Sequence, residues 1–399
     1  MLEKNIICSN CGRKYPLNKI IFRCEKCKGS LEVLFDYSQL RKLVSKDIFR
    51  SRPFNHARYK EMYPVKNILS ISEGGTPLIR SKNIEKKQKL NFELYFKYEA
   101  VNPTGSFKDR GSSVEVSKAV EFGAKRVVCA STGNMGASVA AYSGIANIPC
   151  YIFTPHDALH TKLEQIMAYG AKLYKVSGDY TKTFRLVEEA YNMHEAHLLG
   201  DYLYRREGTK SVGYEIIDQL DFELNDTYVF TPIGNGTLIS AMWKAFKEFY
   251  LMGMTYKKPK MAGIQADRCN PVTVAFRDRE FIKPQKRANT IAKAIECGDP
   301  MDGDRALQAI NESNGFSESV TDNKILRCRE MLAEEEGLFA EPAGAVSLAG
   351  LLKSKDQIEK YSRVVCVITG HGLKTPNTGV SRKEIKIKPD KSLLPKIFS

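Results

Sequence analysis

The sequence of 399 residues predicts an α/β protein with parallel sheets covered by helices on both faces, preceded by a small cysteine-rich module. Short apolar runs alternate with longer helical patterns from residue 109 onwards, and the connections between them are short. Four cysteines in two close pairs come before this alternation. The length corresponds to two or three domains.

The first element is a predicted metal site formed by Cys8, Cys11, Cys24 and Cys27, which are spaced as two CxxC pairs. Two turns that each offer two thiolates complete the closed tetrahedron of a structural zinc ion. A redox CxxC is the alternative, although a single motif suffices for thioredoxin-type chemistry. Four thiolates leave no open coordination position, so we expect zinc to stabilise this ribbon and to take no part in catalysis.

The body of the chain then alternates between the two kinds of element. Strands are predicted at residues 125–130, 148–154, 172–176, 228–232, 261–265 and 363–368. Helices are predicted at residues 35–45, 109–122, 135–146, 159–169, 181–194 and 238–251. We expect a zinc ribbon at 1–35, a large domain from 36–98 and 201–381, a small domain at 99–200, and a basic, partly ordered tail at 382–399.

Composition and charge exclude several classes of protein. Hydrophobic residues make up 43% and charged residues 27%, as in globular proteins. No apolar run approaches the roughly 18 residues of a membrane span, and the first residues lead into Cys8 instead of an apolar signal core, so a cytosolic protein is expected. The net charge of +15 is concentrated in residues 1–60 and 382–399, where a solvated surface is expected because lysines and aromatic residues do not alternate regularly as in single-strand binders.

Four turns carry residues suited to chemistry. Lys108 follows a Pro/Gly turn where a helix begins, and a helix N-terminus favours the free amine needed for a Schiff base. Residues 131–134 and 234–237 each link a strand to a helix, where backbone N–H groups converge on an anion. An ordinary N-cap is the alternative for the first of these turns. Thr369 follows the last strand at the carboxyl edge of the sheet, where ligand sites of α/β proteins form.

In this order, the turns resemble the pyridoxal-phosphate enzymes of the tryptophan synthase β fold, known as fold type II. Within that fold the chain is similar to the threonine synthases. The resemblance covers about residues 31–373, and the ribbon is similar to the zinc-ribbon extension of some archaeal and bacterial members. The segments that carry it are residues 73–78, 102–110, 130–134, 205–210, 290–292, 341–345 and 369–374.

The resemblance implies a pyridoxal-phosphate-dependent carbon–oxygen lyase that converts O-phospho-L-homoserine and water to L-threonine and phosphate. Enzymes of this fold are often dimers, so a homodimer is expected; the composition predicts no membrane partner, and the charge distribution does not favour nucleic acid. Lys108 is expected to bind the cofactor covalently and then to shuttle protons. The other residues that it assigns to the cofactor are Asn134 for the ring hydroxyl, Thr369 for the pyridine nitrogen, and Gly234, Asn235, Gly236 and Thr237 for the phosphate. For the substrate, it assigns Ser131 and Thr132 to the carboxylate. It assigns Arg205 to the leaving phosphate, with Lys210 as the second candidate.

Three departures from the threonine synthase pattern keep other activities open: Met135, residues 234–238 and residues 199–202. A serine/threonine dehydratase or another β-replacement enzyme needs the same cofactor site but no second phosphate site, so Arg205 is the residue that discriminates. The alternative from another class is a zinc-ribbon nucleic-acid-binding protein built on an inactive core. An inactive core has no reason to retain Lys108, Asn134 and Thr369 together.

Overall fold

The computed structural model describes residues 2–131, 133–156, 160–177, 180–193 and 196–376. The tail predicted at 382–399 lies outside the described residues. The strands are β1 (Glu3–Cys8), β2 (Lys14–Tyr15), β3 (Leu31–Phe35), β4 (Leu78–Arg80), β5 (Glu93–Tyr98), β6 (Val127–Ala130), β7 (Cys150–Pro155), β8 (Lys172–Val176), β9 (His197–Leu199), β10 (Thr227–Pro232), β11 (Lys260–Ala266), β12 (Phe316–Val320) and β13 (Arg363–Ile368). The helices are α1 (Tyr37–Leu43), α2 (Lys46–Arg50), α3 (Asn83–Lys87), α4 (Lys108–Glu121), α5 (Asn134–Ile145), α6 (His160–Ala168), α7 (Tyr180–Met193), α8 (Leu203–Thr209), α9 (Ser211–Gln219), α10 (Thr237–Leu251), α11 (Pro271–Asp278), α12 (Gly303–Glu312), α13 (Asp322–Glu336) and α14 (Pro342–Ser354).

The N-terminal strands form a small antiparallel sheet in the order β2-β1-β3. Side chains of β3 alternate between buried and half-buried positions, as expected for a strand with one face on a core. The buried face includes Val33 and Phe35, which belong to the same apolar cluster as Trp243 and Phe246 of α10. The ribbon is therefore packed into the core of the larger domain.

The largest sheet has the order β12-β11-β10-β13-β5-β4, in which β4 alone of these six strands is antiparallel to its neighbour. Every residue of β10 is buried, because helices cover both faces of a parallel sheet. The predicted strands at 228–232, 261–265 and 363–368 correspond to β10, β11 and β13. The sequence prediction missed the other three strands of this sheet, β4, β5 and β12.

A second sheet of four parallel strands has the order β8-β7-β6-β9. Helix α5 packs on β6 and β7, and α4 packs against both α5 and α8. The predicted helices at 109–122 and 135–146 correspond to α4 and α5. The predicted helix at 35–45 is shorter, because β3 continues to Phe35 and Asp36 caps α1 with its side chain.

The two larger sheets present the carboxyl ends of their parallel strands to a common region. The segment before α4 joins the end of β13: Ser106 pairs with Gly370, and the Phe107 N–H donates to the Thr369 carbonyl at 3.1 Å. The turns after β6, β9, β10 and β13 and the start of α4 therefore lie in one place, as expected of α/β ligand sites. In the described part of the chain, no helix is long and apolar enough to cross a membrane.

Candidate active site

Lys108 is the first residue of α4, with its side chain 18% exposed. Its Nζ lies 3.7 Å from Asp201 Oδ1, just after β9. The other carboxylate oxygen of Asp201 accepts a hydrogen bond from Asn235 Nδ2 at 2.8 Å. Burial raises the pKa of Asp201, but the positive charges of Lys108 and Arg205 outweigh it and hold this pKa below its usual value. Asp201 thus connects the lysine amine to the 234–237 turn.

A buried ionic network fixes the first turn of α4. The Arg110 guanidinium lies between Glu99 and Glu215, with contacts of 2.6 Å to each, and Lys97 Nζ is 2.7 Å from Glu215. All four side chains are fully buried, and their charges balance. Although burial raises the pKa of Glu215, Arg110 and Lys97 hold it well below the usual range. This arrangement locks the helix start that carries Lys108, because loss of one partner would leave a buried charge unpaired.

Ser131, in the turn after β6, caps α5 and leaves its own hydroxyl hydrogen available to bind an anion. Ser131 Oγ accepts the N–H groups of Gly136 and Gly133 at 2.8 and 3.2 Å, as in the N-cap alternative, and its own hydrogen can still bind an anion. The first-turn N–H groups of α5 add to this anion-binding end. Thr132, predicted to hold a carboxylate, lies outside the described residues.

Asn134, at the start of α5, faces a carboxylate that the sequence prediction missed. Its Nδ2 donates to Glu341 Oε1 at 2.7 Å, and its Oδ1 is buried without a hydrogen-bond partner among the described residues. Glu341 Oε2 lies 3.4 Å from Lys162 Nζ. Gly370 admits this carboxylate, since a Cβ there would lie 2.4 Å from Glu341 Oε1. Lys162 itself packs on the anion-binding turn, because a Cβ at Gly133 would lie 2.5 Å from its Cδ.

The turn after β10 has the shape of an anion cradle. Gly236 has a φ of +89°, and an added Cβ would meet the Asp302 carbonyl oxygen at 2.5 Å, so only glycine fits without distortion. Thr237 begins α10, whose first-turn N–H groups have no partner within the helix. The predicted residues 234–237 and Lys108 thus lie on either side of Asp201.

Arg205 and Lys210, the predicted phosphate ligands, occupy buried structural positions. The Arg205 guanidinium pairs with Glu115 and donates to the Gly200 carbonyl at 3.1 Å and the Lys108 carbonyl at 3.4 Å. Lys210 is fully buried and lies 2.8 Å from Glu207 and 3.1 Å from Glu248. These contacts do not favour the expected role of either residue. Arg205 instead supports the backbone that carries Lys108.

Lys374 is a second lysine that the sequence prediction missed, and it links the segment after β13 to the segment before α4 and to α6. Lys374 Nζ donates to the Thr104 carbonyl at 2.7 Å and to Gln165 Oε1 at 2.6 Å. Burial lowers the pKa of Lys374 to about 8. Thr369, predicted to face a pyridine nitrogen, is buried at the end of β13 and accepts the Phe107 N–H through its carbonyl.

The four predicted metal ligands converge in the ribbon. The Sγ atoms of Cys8, Cys11, Cys24 and Cys27 all lie within 4.8 Å of one another. A tetrahedral zinc ion with Zn–S distances of about 2.3 Å needs sulfur atoms roughly 3.8 Å apart, so the cluster has the size of such a site.

Among the residues that the sequence prediction missed, Asp201, Glu341 and Lys374 lie in segments that it had singled out. Their charges were the available signal, but their partners are distant in sequence. Lys162 lies in the predicted helix at 159–169, and nothing in its local pattern distinguishes it from a solvated lysine.

Known proteins are similar to this chain over most of its length. Residues 69–370 match the family described as pyridoxal-phosphate dependent enzymes. The threonine synthase of Methanocaldococcus jannaschii is 44% identical over 401 residues, covering 98% of each chain. The threonine synthase of Methanosarcina acetivorans is 40% identical over 93% of this chain and 92% of its own. Among solved structures, maize serine racemase has a TM-score of 0.66 at 22% identity, covering 82% of this chain and 94% of that one. The processed form of threonine deaminase isoform 2 from Solanum lycopersicum has a TM-score of 0.65 at 18% identity, covering 92% and 99%.

Proposed function

Because the chain belongs to the threonine synthases among the pyridoxal-phosphate-dependent enzymes, we propose that it converts O-phospho-L-homoserine and water to L-threonine and phosphate. The geometric observation that carries this proposal is the contact of Lys108 with Asp201, which in turn binds Asn235 of the anion cradle. A reactive amine and a phosphate cradle are held on opposite sides of one carboxylate, at the edge of two parallel sheets.

The residues present fit pyridoxal phosphate. Its phosphate suits the 234–237 turn, where Gly236 lacks the side chain that would collide with Asp302, and where the positive end of α10 favours an anion. A ring hydroxyl suits the buried Asn134 Oδ1, an acceptor without a hydrogen-bond partner in the described part of the chain. We propose that Lys108, Asn134, Gly234, Asn235, Gly236, Thr237 and Thr369 hold the cofactor.

When bound, the cofactor supplies an electron-withdrawing ring that stabilises negative charge next to the substrate's α carbon. Thr369 cannot ionise as an aspartate would, so it supports a less electron-withdrawing ring. The chain's own residues position the substrate and move its protons. Lys108 Nζ removes a proton from the α carbon and, once it has given that proton up, one from the β carbon; the two protons are returned to the γ and α carbons as the product forms. The Asp201 carboxylate stabilises the positive charge of the amine while it carries a proton. Ser131 and the N–H groups after it bind the substrate carboxylate.

The leaving phosphate needs a cation, and we propose Lys162 for this role. Its side chain is 5% exposed and packs on Gly133 of the 131–134 turn, which is proposed to bind the substrate carboxylate. Its ion pair with Glu341 is long at 3.4 Å, whereas Arg205 and Lys210 make shorter contacts to buried carboxylates. A water molecule then adds at the β carbon after phosphate has left the γ carbon.

We further propose that the four cysteines bind a structural zinc ion. A homodimer, a cytosolic location and the domain boundaries given above also stay predictions. Sedimentation of the purified protein tests the first of these.

The test of the proposed function compares O-phospho-L-homoserine with L-threonine and L-serine as substrates. We expect equal amounts of phosphate and threonine from the first and little ammonia from the other two. Rapid release of ammonia from threonine, with O-phospho-L-homoserine left intact, would favour the dehydratase alternative.

A further inference from the structure

Asp302, which is fully buried, lies between the cysteine ribbon and the phosphate cradle. Its carboxylate accepts hydrogen bonds from Arg206 Nη1 at 2.8 Å to each oxygen, from Ser30 Oγ at 2.7 Å, and from Thr237 Oγ1 at 3.2 Å. Its backbone N–H donates to the Asn235 carbonyl at 3.0 Å, and its carbonyl oxygen occupies the space beside Gly236. Asp302 therefore contacts three consecutive residues of the proposed cradle.

Ser30, on the other side of Asp302, is held by both cysteine turns. The Ser9 N–H and hydroxyl, between Cys8 and Cys11, each donate to the Ser30 carbonyl at 3.0 Å. The Cys24 N–H donates to the carbonyl of Gly29 at 3.0 Å. These contacts fix the backbone at Ser30, and Arg23, the residue before Cys24, donates to Ser30 Oγ at 3.0 Å, so the turns that bring the four thiols together also position this hydroxyl.

These contacts have a consequence for anion binding. A buried carboxylate close to a phosphate is unfavourable unless a counter-charge and hydrogen bonds stabilise it. Arg206 provides the positive charge for Asp302, and the Ser30 hydroxyl provides a further hydrogen bond. Without the Ser30 hydroxyl, Asp302 Oδ1 would keep only the Arg206 contact, and the less stabilised carboxylate would draw more strongly on Thr237, which its other oxygen binds. The cradle would then be less well organised for an incoming phosphate.

We infer that Ser30 and Asp302 are positioning residues through which the folded ribbon sets the affinity of the 234–237 cradle for the cofactor phosphate. This inference rests on the proposed cofactor site. It gives the ribbon a part in cofactor binding that the closed geometry of a four-thiolate metal site does not by itself imply.

The test measures the dissociation constant of pyridoxal 5'-phosphate by absorbance titration of full-length protein freed of cofactor, and the ³¹P resonance of the holoenzyme. Ser30→Ala should raise the dissociation constant about fivefold or more and shift the resonance. The matched control is Glu32→Gln. It weakens another contact of the same segment, the 2.8 Å ion pair with Arg305, and should leave both quantities unchanged. Ser30→Gly, which removes the same hydroxyl, replaces Ser30→Ala if the latter does not fold.

The inference is overturned if Ser30→Ala binds the cofactor within twofold of wild type, or if Glu32→Gln weakens binding equally. A Gly236→Ala variant separates this failure from failure of the proposed site. If Gly236→Ala loses the cofactor while Ser30→Ala retains it, the site stands and the coupling is wrong. If Gly236→Ala binds as wild type does, the proposed cradle itself is wrong.

Discussion

Replacing Lys162 by methionine removes one positive charge from the turn that is proposed to bind the substrate. Methionine is unbranched and preserves much of the apolar stem that packs on Gly133. We expect the cofactor to remain bound, since the 234–237 cradle is unchanged. The kcat/KM for O-phospho-L-homoserine should fall because the leaving phosphate loses its cation.

The size of the effect follows from the burial of the amine. The Lys162 side chain is 5% exposed and lies 3.4 Å from its carboxylate partner Glu341, so little water can replace the charge. A hydrogen bond to a charged group in such surroundings contributes about 1.5–3 kcal/mol. This corresponds to a loss of about 10- to 150-fold in kcat/KM.

The assay follows phosphate release and measures the inhibition constant of inorganic phosphate, which should rise by a similar factor. Lys172→Met, a change at an exposed lysine in β8, is the control and should behave as wild type. The reasoning is refuted if Lys162→Met stays within twofold of wild type. If the phosphate inhibition constant instead rises in Arg205→Lys alone, the role returns to Arg205.

Three further predictions concern the cofactor, the metal and pH. Borohydride reduction followed by peptide mapping should label Lys108, and a label on another lysine would contradict the assignment. Cys24→Ser should lose the metal and lower the thermal midpoint; a folded variant that keeps its metal but loses turnover would disprove the structural role. Burial lowers the pKa of His56 to about 4, so between about pH 6.5 and 4 the unfolded chain gains a proton that the folded chain does not. Stability should fall by about 2 kcal/mol between pH 7 and 5 from this group, and His56→Gln should show a shallower pH dependence in urea unfolding. Equal pH dependences would refute this.

The sequence was sufficient where an element is buried on both faces. For example, β10 is buried throughout, has an apolar centre, and is followed by the glycine turn and α10, so the strand, turn and helix were all predictable. The resemblance to fold type II enzymes is confirmed, as is the relation to the threonine synthases. The assignments of individual site residues remain predictions.

Two of the missed strands, β5 and β12, have local patterns that resemble exposed segments. Strand β5 carries Lys97, which is fully buried only because Glu215, far along the chain, neutralises it. Strand β12 lies at the edge of its sheet and has mainly polar, half-buried residues, so it lacks an apolar run. In both cases tertiary contacts outweigh the local signal.

The charged partners within the site could not be predicted for the same reason. Arg205 has the chemistry of a phosphate ligand, but Glu115 in α4, which pairs with it, is separated from it by 90 positions. Asn134 and Glu341 are separated by 207 positions. A local pattern shows which side chains could bind an anion, whereas the fold determines which of them already have a buried counter-charge.

The most direct test of the central claim is turnover of O-phospho-L-homoserine in H₂¹⁸O by wild type and by Lys108→Ala. The account predicts ¹⁸O in the β-hydroxyl group of threonine and none in the released phosphate, because the γ carbon–oxygen bond breaks and water adds at the β carbon. The Lys108→Ala variant should release neither product. Label in the phosphate, or unchanged turnover by Lys108→Ala, would contradict the account.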